Sequence, residues 1–389
     1  MKAMIVNRIR AIEPDGFDAD PDLVFAWRTN IDLIDLQDLR AWSGSGGPEV
    51  EYREVDNQSV VRMASTLRPD LTGTLPDGTV LTINHGVRSG PDTDHDFSTS
   101  HTAELTIEPP TATSWRHLLD KRFLPWQVLL WVASGKPSAI RHVHFLAPGP
   151  DPAYMRWCAF HGRLAQPADR DDIEWHDMLF VASDLPGGFE SGTCRWSHTW
   201  ATLRHVVGPL FARDRARFVY SNDRFFIAVA ALEGIDRVQR ASSRDVPRAA
   251  HRARVQRLDD LLNTHAPDLT EWALRATRDA NRIALARRLV DQISRTGAVG
   301  EALFGDRITL FADVAEAVRN GQAHGLDIDE EPEESFEFVA ASALVWVVRA
   351  ILMLDIGFDV EEMARRVLDH HSFQWACDRV ANLDLQAPS

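Results

Sequence analysis

Residues 338–354 read FVAASALVWVVRAILML, the longest apolar stretch in a chain of 389 residues. The stretch is shorter than the roughly 20 residues that cross a bilayer as a helix, and Ser342 and Arg349 interrupt it. It therefore reads as a buried helix, and a helix that is apolar on all sides needs other helices around it. The flanking sequence supplies them. Phe225, Phe226, Val229 and Leu232 fall on one helical stripe, and the runs 246–263, 269–294, 308–318, 335–354 and 360–369 keep a period near 3.6. From about Phe218 onward strand signals vanish, and the chain reads as an all-α bundle.

The first two hundred residues follow a different pattern. Short alternating or β-branched runs at 59–63, 79–83, 101–107 and 139–145 are separated by the turn signals Asp77-Gly78, Ser89-Gly90-Pro91 and Pro148-Gly149-Pro150. One helical run, 115–134, interrupts them and stops at Gly135-Lys136-Pro137. The stretch 167–193, punctuated by Pro186-Gly187-Gly188, reads as loop. The expected fold class is α+β, with a β-rich N-terminal domain over residues 1–210 and a helical domain over residues 218–385. The break falls between Gly208 and Asn222.

Composition narrows the function classes. Hydrophobic residues at 44% and charged residues at 25% are globular proportions, which exclude a fibrous or low-complexity chain. Three cysteines exclude a disulfide framework. No leader pattern follows Met1 and no charge-free apolar run reaches 18 residues, so a cytoplasmic location without membrane association is expected. GxGxxG, GxxxxGK[ST] and GxSxG are absent, which removes the phosphate loops and the serine elbow that those patterns build.

The net charge of −15 is unevenly spread, because residues 201–300 hold 18 Lys and Arg against 11 Asp and Glu. Arg237, Arg240, Arg244, Arg248, Arg252, Arg254 and Arg257 fall within 21 residues. Such a row can track a phosphate backbone, with Arg244, Arg248, Arg252 and Arg254 as candidate RNA contacts, although taken alone the stretch reads first as a solvated helix face. Arginine outnumbers lysine 39 to 3 over the whole chain, so its abundance here is no signal for RNA.

Two constellations carry chemistry. Cys158-x2-His161 and Cys194-x3-His198 are two closely spaced pairs, the way a tetrahedral structural zinc site is often assembled. Trp157, Phe160, Trp196 and Trp200 surround them, so cysteines and histidines packed in an aromatic core are the other reading. His142 and His144 alternate on a strand and read as its exposed side. The second constellation is Val318-Arg319-Asn320-Gly321-Gln322-Ala323-His324-Gly325. Its Arg-to-His spacing recurs at Arg156/His161, Arg365/His370 and Arg366/His371, so spacing alone says little.

Context separates it from the others. Leu310, Phe311, Val314 and Val318 form the apolar stripe of a helix, Arg319 flanks that stripe at the expected helix end, and Asn320, Gly321 and Gly325 supply turn residues. On a straight helix residues five apart point about 140° from each other, so a shared site needs a break at Gly321 or a second subunit. In the alternative reading Arg319 and His324 cap helices and pair with the acidic run 327–334.

Arg319-Asn320-x-x-x-His324 resembles the RNxxxH signature of HEPN domains, helical bundles many of which are metal-independent ribonucleases. Phe225-Phe226 with Leu232-Glu233-Gly234-Ile235, together with residues 311–325, resembles the ApeA-like branch of these proteins. Residues 123–145, FLPWQVLLWVASGKPSAIRHVHF, are similar to a segment of that branch's N-terminal domain. The resemblance implies an endoribonuclease that needs no cofactor for catalysis, with Arg319, Asn320 and His324 catalytic and Glu233 in support. An ordinary i,i+4 pair of Glu233 with Arg237 is the other reading of that carboxylate.

The resemblance further implies a homodimer acting on RNA in anti-phage defence by abortive infection. The N-terminal domain would sense or restrain, in answer to a phage-derived trigger. The residue types suit that chemistry: histidine is the acid or base, and arginine offers a permanent planar charge for phosphate oxygens. Two other functions fit the same sequence, a dimeric HEPN protein that holds RNA or a partner without cutting, and a regulatory protein stabilised by zinc.

Overall fold

The computed structural model describes residues 31–385, apart from 37, 45–48, 56–57, 65–67, 92–96, 112–116, 118, 148–155, 160–172, 217–219, 243, 278–279 and 324–335. The N-terminal half is built on β1 (Ile31–Leu36), β2 (Glu49–Val55), β3 (Gln58–Ala64), β4 (Leu71–Thr74), β5 (Val80–Pro91), β6 (Phe97–Glu108), β7 (Ile140–Ala147) and β8 (Arg156–Ala159). Six of them form one antiparallel sheet in the order β4-β5-β6-β1-β7-β8, and β2 and β3 make a separate hairpin. Leu81, Ile83 and His85 of β5 stand opposite Ile107, Leu105 and Ala103 of β6, and all six are buried. This is the period-two burial of a sheet with one face in the core.

The short α1 (Leu39–Trp42) packs on β6, and α2 (Leu124–Ser134), entered through a π-helical turn at Leu119–Phe123, packs on α1. α2 stops where the sequence predicts, at Gly135 with φ 73°. The other helices are α3 (Gly188–Asp214), α4 (Ser221–Gln239), α5 (Arg248–His265), α6 (Thr270–Thr277), α7 (Leu285–Arg295), α8 (Ala298–Phe304), α9 (Ile308–Ala323), α10 (Phe336–Ile356), α11 (Val360–Leu368) and α12 (His371–Ala381). The architecture is thus α+β, strands first and helices after.

Three local expectations are corrected. The loop read over 167–193 gives way at Gly188 to α3, a helix of 27 residues. Gly192, Gly208 and Pro209 mask it, yet Trp196, Trp200, Leu203, Val207 and Leu210 are buried at helical spacing. The run 269–294 is two helices, because Asn281 lies between α6 and α7 and its side chain clasps Val246, donating to its carbonyl and accepting from its N–H, both at 3.0 Å. Finally, α9 does not end at Arg319 but continues to Ala323.

α10 is the hub. Its apolar window is 83% buried within the protein, so protein rather than lipid satisfies it. α4 covers one side, and α3, α8, α11 and α12 cover others. A single apolar cluster runs from Leu36 of β1 through α2 and α3 to Val380 of α12, so the strand-rich and helical halves share one core. At the junction Arg349 of α10, 3% exposed, donates through Nε to the Val132 carbonyl at 3.0 Å and through Nη2 to the Ala133 carbonyl at 3.4 Å. Its guanidinium lies 4.2 Å from the Trp346 ring centroid, and on that ring also packs His370, at 5.2 Å.

His370 occupies the N-cap of α12. Its Nδ1 accepts from the Ser372 N–H at 3.2 Å and its Nε2 lies 3.1 Å from the Asp177 carbonyl, a pattern that fits only the neutral ring. Burial first, and the Arg349 charge second, push its pKa down to about 4.

Three outcomes are expected. Arg349→Ala should lower stability by about 2–4 kcal/mol in urea titrations, since it opens a cavity and strips donors from buried carbonyls. Gly135→Ala should also destabilise, because a Cβ there falls 2.7 Å from Arg349 Nη1 at a positive φ. For His370 the folded pKa lies below the unfolded value near 6.5, so the unfolded chain binds the extra proton. Its contribution is intact above about pH 6.5, is lost as pH falls from there toward about 4, and then levels off. His370→Asn, which keeps a capping acceptor, should flatten the difference between melting temperatures at pH 7 and pH 5.

Candidate active site

α9 buries Phe311 against Phe304 and Phe336, with ring centroids 4.2 and 5.8 Å apart. Eight residues on, a little over two turns, Arg319 comes round to the same side and meets α4. There Phe226 and Glu233, seven residues apart, share one face. The Arg319 guanidinium lies 5.4 Å from the Phe226 ring centroid, and its Nη2 is 3.8 Å from Glu233 Oε2. Nη1 donates to Asn320 Oδ1 at 3.2 Å. Its Nε is enclosed and has no hydrogen-bond partner among the described residues. The other Glu233 oxygen accepts from Arg237 at 2.6 Å, so the carboxylate serves both arginines and the two readings of it hold together.

The ends of this cluster differ in exposure. The Glu233 side chain is 15% exposed and that of Arg319 29%, whereas Arg237 is 63% exposed. Asn320 faces solvent, and a Cβ built on Gly321 would meet nothing within 4 Å. Gly321 is an ordinary helical residue, so of the two routes to a shared site, a break at Gly321 or a second subunit, the break is not found. His324 follows the last residue of α9 and lies outside the described residues, as does the acidic run 327–334. The carboxylate that meets Arg319 is the one on α4.

A lock behind the site escaped the sequence reading. One turn along α4 from Glu233, Asp236 is 1% exposed and accepts from Arg240, from Arg288 at 2.6 Å and from Gln292 at 3.2 Å. Burial alone would raise its carboxyl, but hydrogen bonds from Arg240, Gln292 and Arg288 outweigh that and hold it below the ordinary carboxylate range. Arg240 reaches on to Asp291 at 2.7 Å, so α4 and α7 are tied by charge as well as packing. α9 is joined to the same pair, because Glu316 accepts from the Ala286 N–H in the first turn of α7 at 3.0 Å. The signal in the sequence was an aspartate four residues after Leu232, on the apolar stripe of α4.

The remaining candidates do not converge on Arg319. Arg248, Arg252 and Arg254 are exposed on α5, a helix without a buried residue that packs chiefly on α6 and the turn between them. Arg244 sits half-buried at the base of this arm, bridged to Arg282. Cys194 and His198 lie one turn apart on α3, and Cys194 Sγ donates to the Thr74 carbonyl of β4 at 3.1 Å. Cys158 belongs to β8, at the opposite edge of the sheet and about 24 Å away along it at the usual strand spacing. The side chain of Cys158 and all of His161 lie outside the described residues, and the sheet order does not bring the two pairs together. Among the described residues no three His, Cys, Asp or Glu form a ligand cluster. Burial pushes the Cys194 thiol up, away from the thiolate that a metal or an electrophile needs.

Comparison with family models, with curated proteins and with solved structures finds no match to this chain. The chemistry of the cluster must therefore be argued from its own geometry. It offers a permanent cation with one face on an aromatic ring, a carboxylate that orients it, an amide beside it, and a histidine five residues further along the sequence.

Proposed function

We propose that this chain is a metal-independent endoribonuclease of the HEPN type, acting as a homodimer on RNA in anti-phage defence. The observation that carries the reading is the placement of Arg319, five residues before His324 in the sequence, against Phe226 and Glu233. In the proposed reaction one His324 takes the proton of the ribose 2′-OH, and the freed oxygen attacks phosphorus. The bond to the 5′-oxygen breaks, and that oxygen receives a proton from the His324 of the second copy. Arg319 offers its planar fork to the non-bridging oxygens, whose charge grows in the transition state. Glu233 positions Arg319 without touching substrate, and Asn320 orients its neighbours or the RNA.

The exposed Arg248, Arg252 and Arg254 on α5 supply positive charge for the strand in an otherwise acidic chain. Under this reading the strand-rich half restrains or senses. It does so as part of one folded body, since a cut near Phe218 would strip α3 from the buried faces of α4 and α10. The engagement of Arg319 by Glu233 also suits a protein that grips RNA or a partner without cutting it, which is the second reading.

Incubation of the purified protein with total RNA and tRNA separates the two. Arg319→Ala and His324→Ala should each lower cleavage by about 10²-fold or more. The melting temperature of Arg319→Ala should stay near wild type, because Arg319 lies outside the apolar core, and His324→Ala is expected to melt alongside it. Glu233→Gln should lower kcat more than it raises KM. Binding that survives in a wild-type protein without any cleavage would select the non-catalytic reading.

The products should carry 2′,3′-cyclic phosphate and 5′-OH ends, and cleavage should persist in EDTA. The motif supplies an acid, a base and a cation, and no carboxylate cluster suited to Mg²⁺. A strict requirement for added divalent metal would overturn the mechanism.

A further inference from the structure

A cleft of about 550 Å³ opens where the strand-rich half meets α11, and neither the proposed active site nor any motif in the sequence accounts for it. Its walls come from three parts of the chain: Gly44 and Arg68 near β1 and β4, the 3₁₀ turns Trp175–Asp177 and Ala182–Asp184, and Arg366 of α11. The volume falls in the range of small-molecule sites, about 300–1,000 Å³. Trp175 is 57% exposed, a large aromatic face left to solvent, and the His176 ring stands edge-on to it at 5.8 Å.

The two guanidinium groups in the wall are in different states. Arg366 is engaged by two carboxylates and a carbonyl, donating to the Leu179 carbonyl at 3.0 Å, Asp184 Oδ2 at 2.8 Å and Glu362 at 2.6 Å. It shapes the wall and has no charge to spare. Arg68 is exposed, and its guanidinium is in no hydrogen bond or ion pair with a described residue. It packs on Gly44, where a Cβ would approach its Nη1 to 2.7 Å at φ +79°, so the glycine makes room for the cation. Asp184, which lines the cleft together with Ser183, spends Oδ2 on Arg366 and on the Val181 N–H, so among the described residues no hydrogen bond is given to its Oδ1.

We propose that this cleft binds a nucleoside phosphate. A solvent-facing indole stacks a planar ring, an unpaired guanidinium takes a phosphate, and a free carboxylate oxygen beside a hydroxyl suits the hydroxyls of a sugar. These groups face one cleft, and the cleft's walls belong to both halves of the protein. Occupancy therefore ties the strand-rich half to α11, a binding event that can report a nucleotide to the rest of the fold. The site does not depend on the ribonuclease reading, and binding is measured without RNA cleavage.

The test is equilibrium dialysis of the full chain with AMP and ATP, with adenosine and inorganic phosphate as separate arms, alongside thermal melting. Nucleotide binding at micromolar concentration is expected, with a rise in melting temperature. Adenosine alone and phosphate alone should each bind at least tenfold more weakly. Arg68→Gln and Trp175→Ala should each weaken nucleotide binding tenfold or more. Arg319→Ala should bind as wild type, which separates this cleft from nucleotide held at the proposed active site, and so should Trp272→Ala, an exposed tryptophan on α6. Two results would overturn the proposal: no nucleotide bound at millimolar concentration, or binding that is unchanged in both Arg68→Gln and Trp175→Ala.

Discussion

A cation buried between the two halves sets the terms for the rest of the structure. Arg349 lies within the long apolar helix α10, where a charge is costly unless its donors are used. Its solution is the C-terminal end of α2, whose last carbonyls carry the negative end of a helix dipole and lack partners within that helix. Burial pulls the Arg349 pKa down to about 9, with Asp214 opposing, so the group stays charged at neutral pH. Asp214 is itself held by Trp131 Nε1 and Arg224, each at 2.8 Å, which links α2, α3 and α4 to the same point. The Ala133 carbonyl is shared with the Leu179 N–H at 2.8 Å. The segment that lines the nucleotide cleft therefore begins at the same junction. α2 cannot move without unpairing Arg349, and the strand-rich half cannot leave α10 without exposing it.

α4 carries this order outward to the site. Its inner face packs on α10, where the Phe225 and Phe336 rings meet at 5.6 Å, and Phe336 in turn meets Phe311 of α9. Its flank holds Asp236 to α7 and Glu233 to Arg319. The two carboxylates differ in consequence although they sit three residues apart. Asp236 is nearly inaccessible and saturated with donors, so removing a partner would strand a buried charge at a cost of about 3–5 kcal/mol. Glu233 is partly exposed, and its contact with Arg319 at 3.8 Å is an orienting contact worth about 1 kcal/mol or less to stability. The lock is structural and the looser pair is where chemistry has room to act.

The fold class was legible because its signals were strong. The all-apolar run became α10, four of the alternating runs became β3, β5, β6 and β7, and Gly135 ended α2 as a left-handed cap. What escaped lacked a local signal. β1 is the middle of the sheet, but Ile-Asp-Leu-Ile-Asp-Leu has no clean period of two. α3 carries glycines and a proline that tertiary burial overrides. Of the candidate site, the Arg319–Glu233 contact was anticipated, whereas the aromatic seat on Phe226 and the Asp236 lock were not. Both depend on which helix α9 packs against, and that is a property of the assembled bundle.

The regularity of α9 through Gly321 bears on how the proposed site is completed. Arg319 turns inward to its own α4, while Asn320 and Gly321 lie on the open side of the same helical turn, with space around the glycine. A single chain thus turns the Arg319 cation to its own α4 and leaves Asn320, one residue on, exposed to solvent. A two-fold partner packed on that open surface would bring the second histidine and the second arginine to one cleft without any kink in α9. The acid and the base of RNA cleavage must stand on opposite sides of the phosphorus, because the attacking and leaving oxygens are in line. Two copies of one residue across a symmetry axis meet that requirement, and one histidine beside one arginine does not.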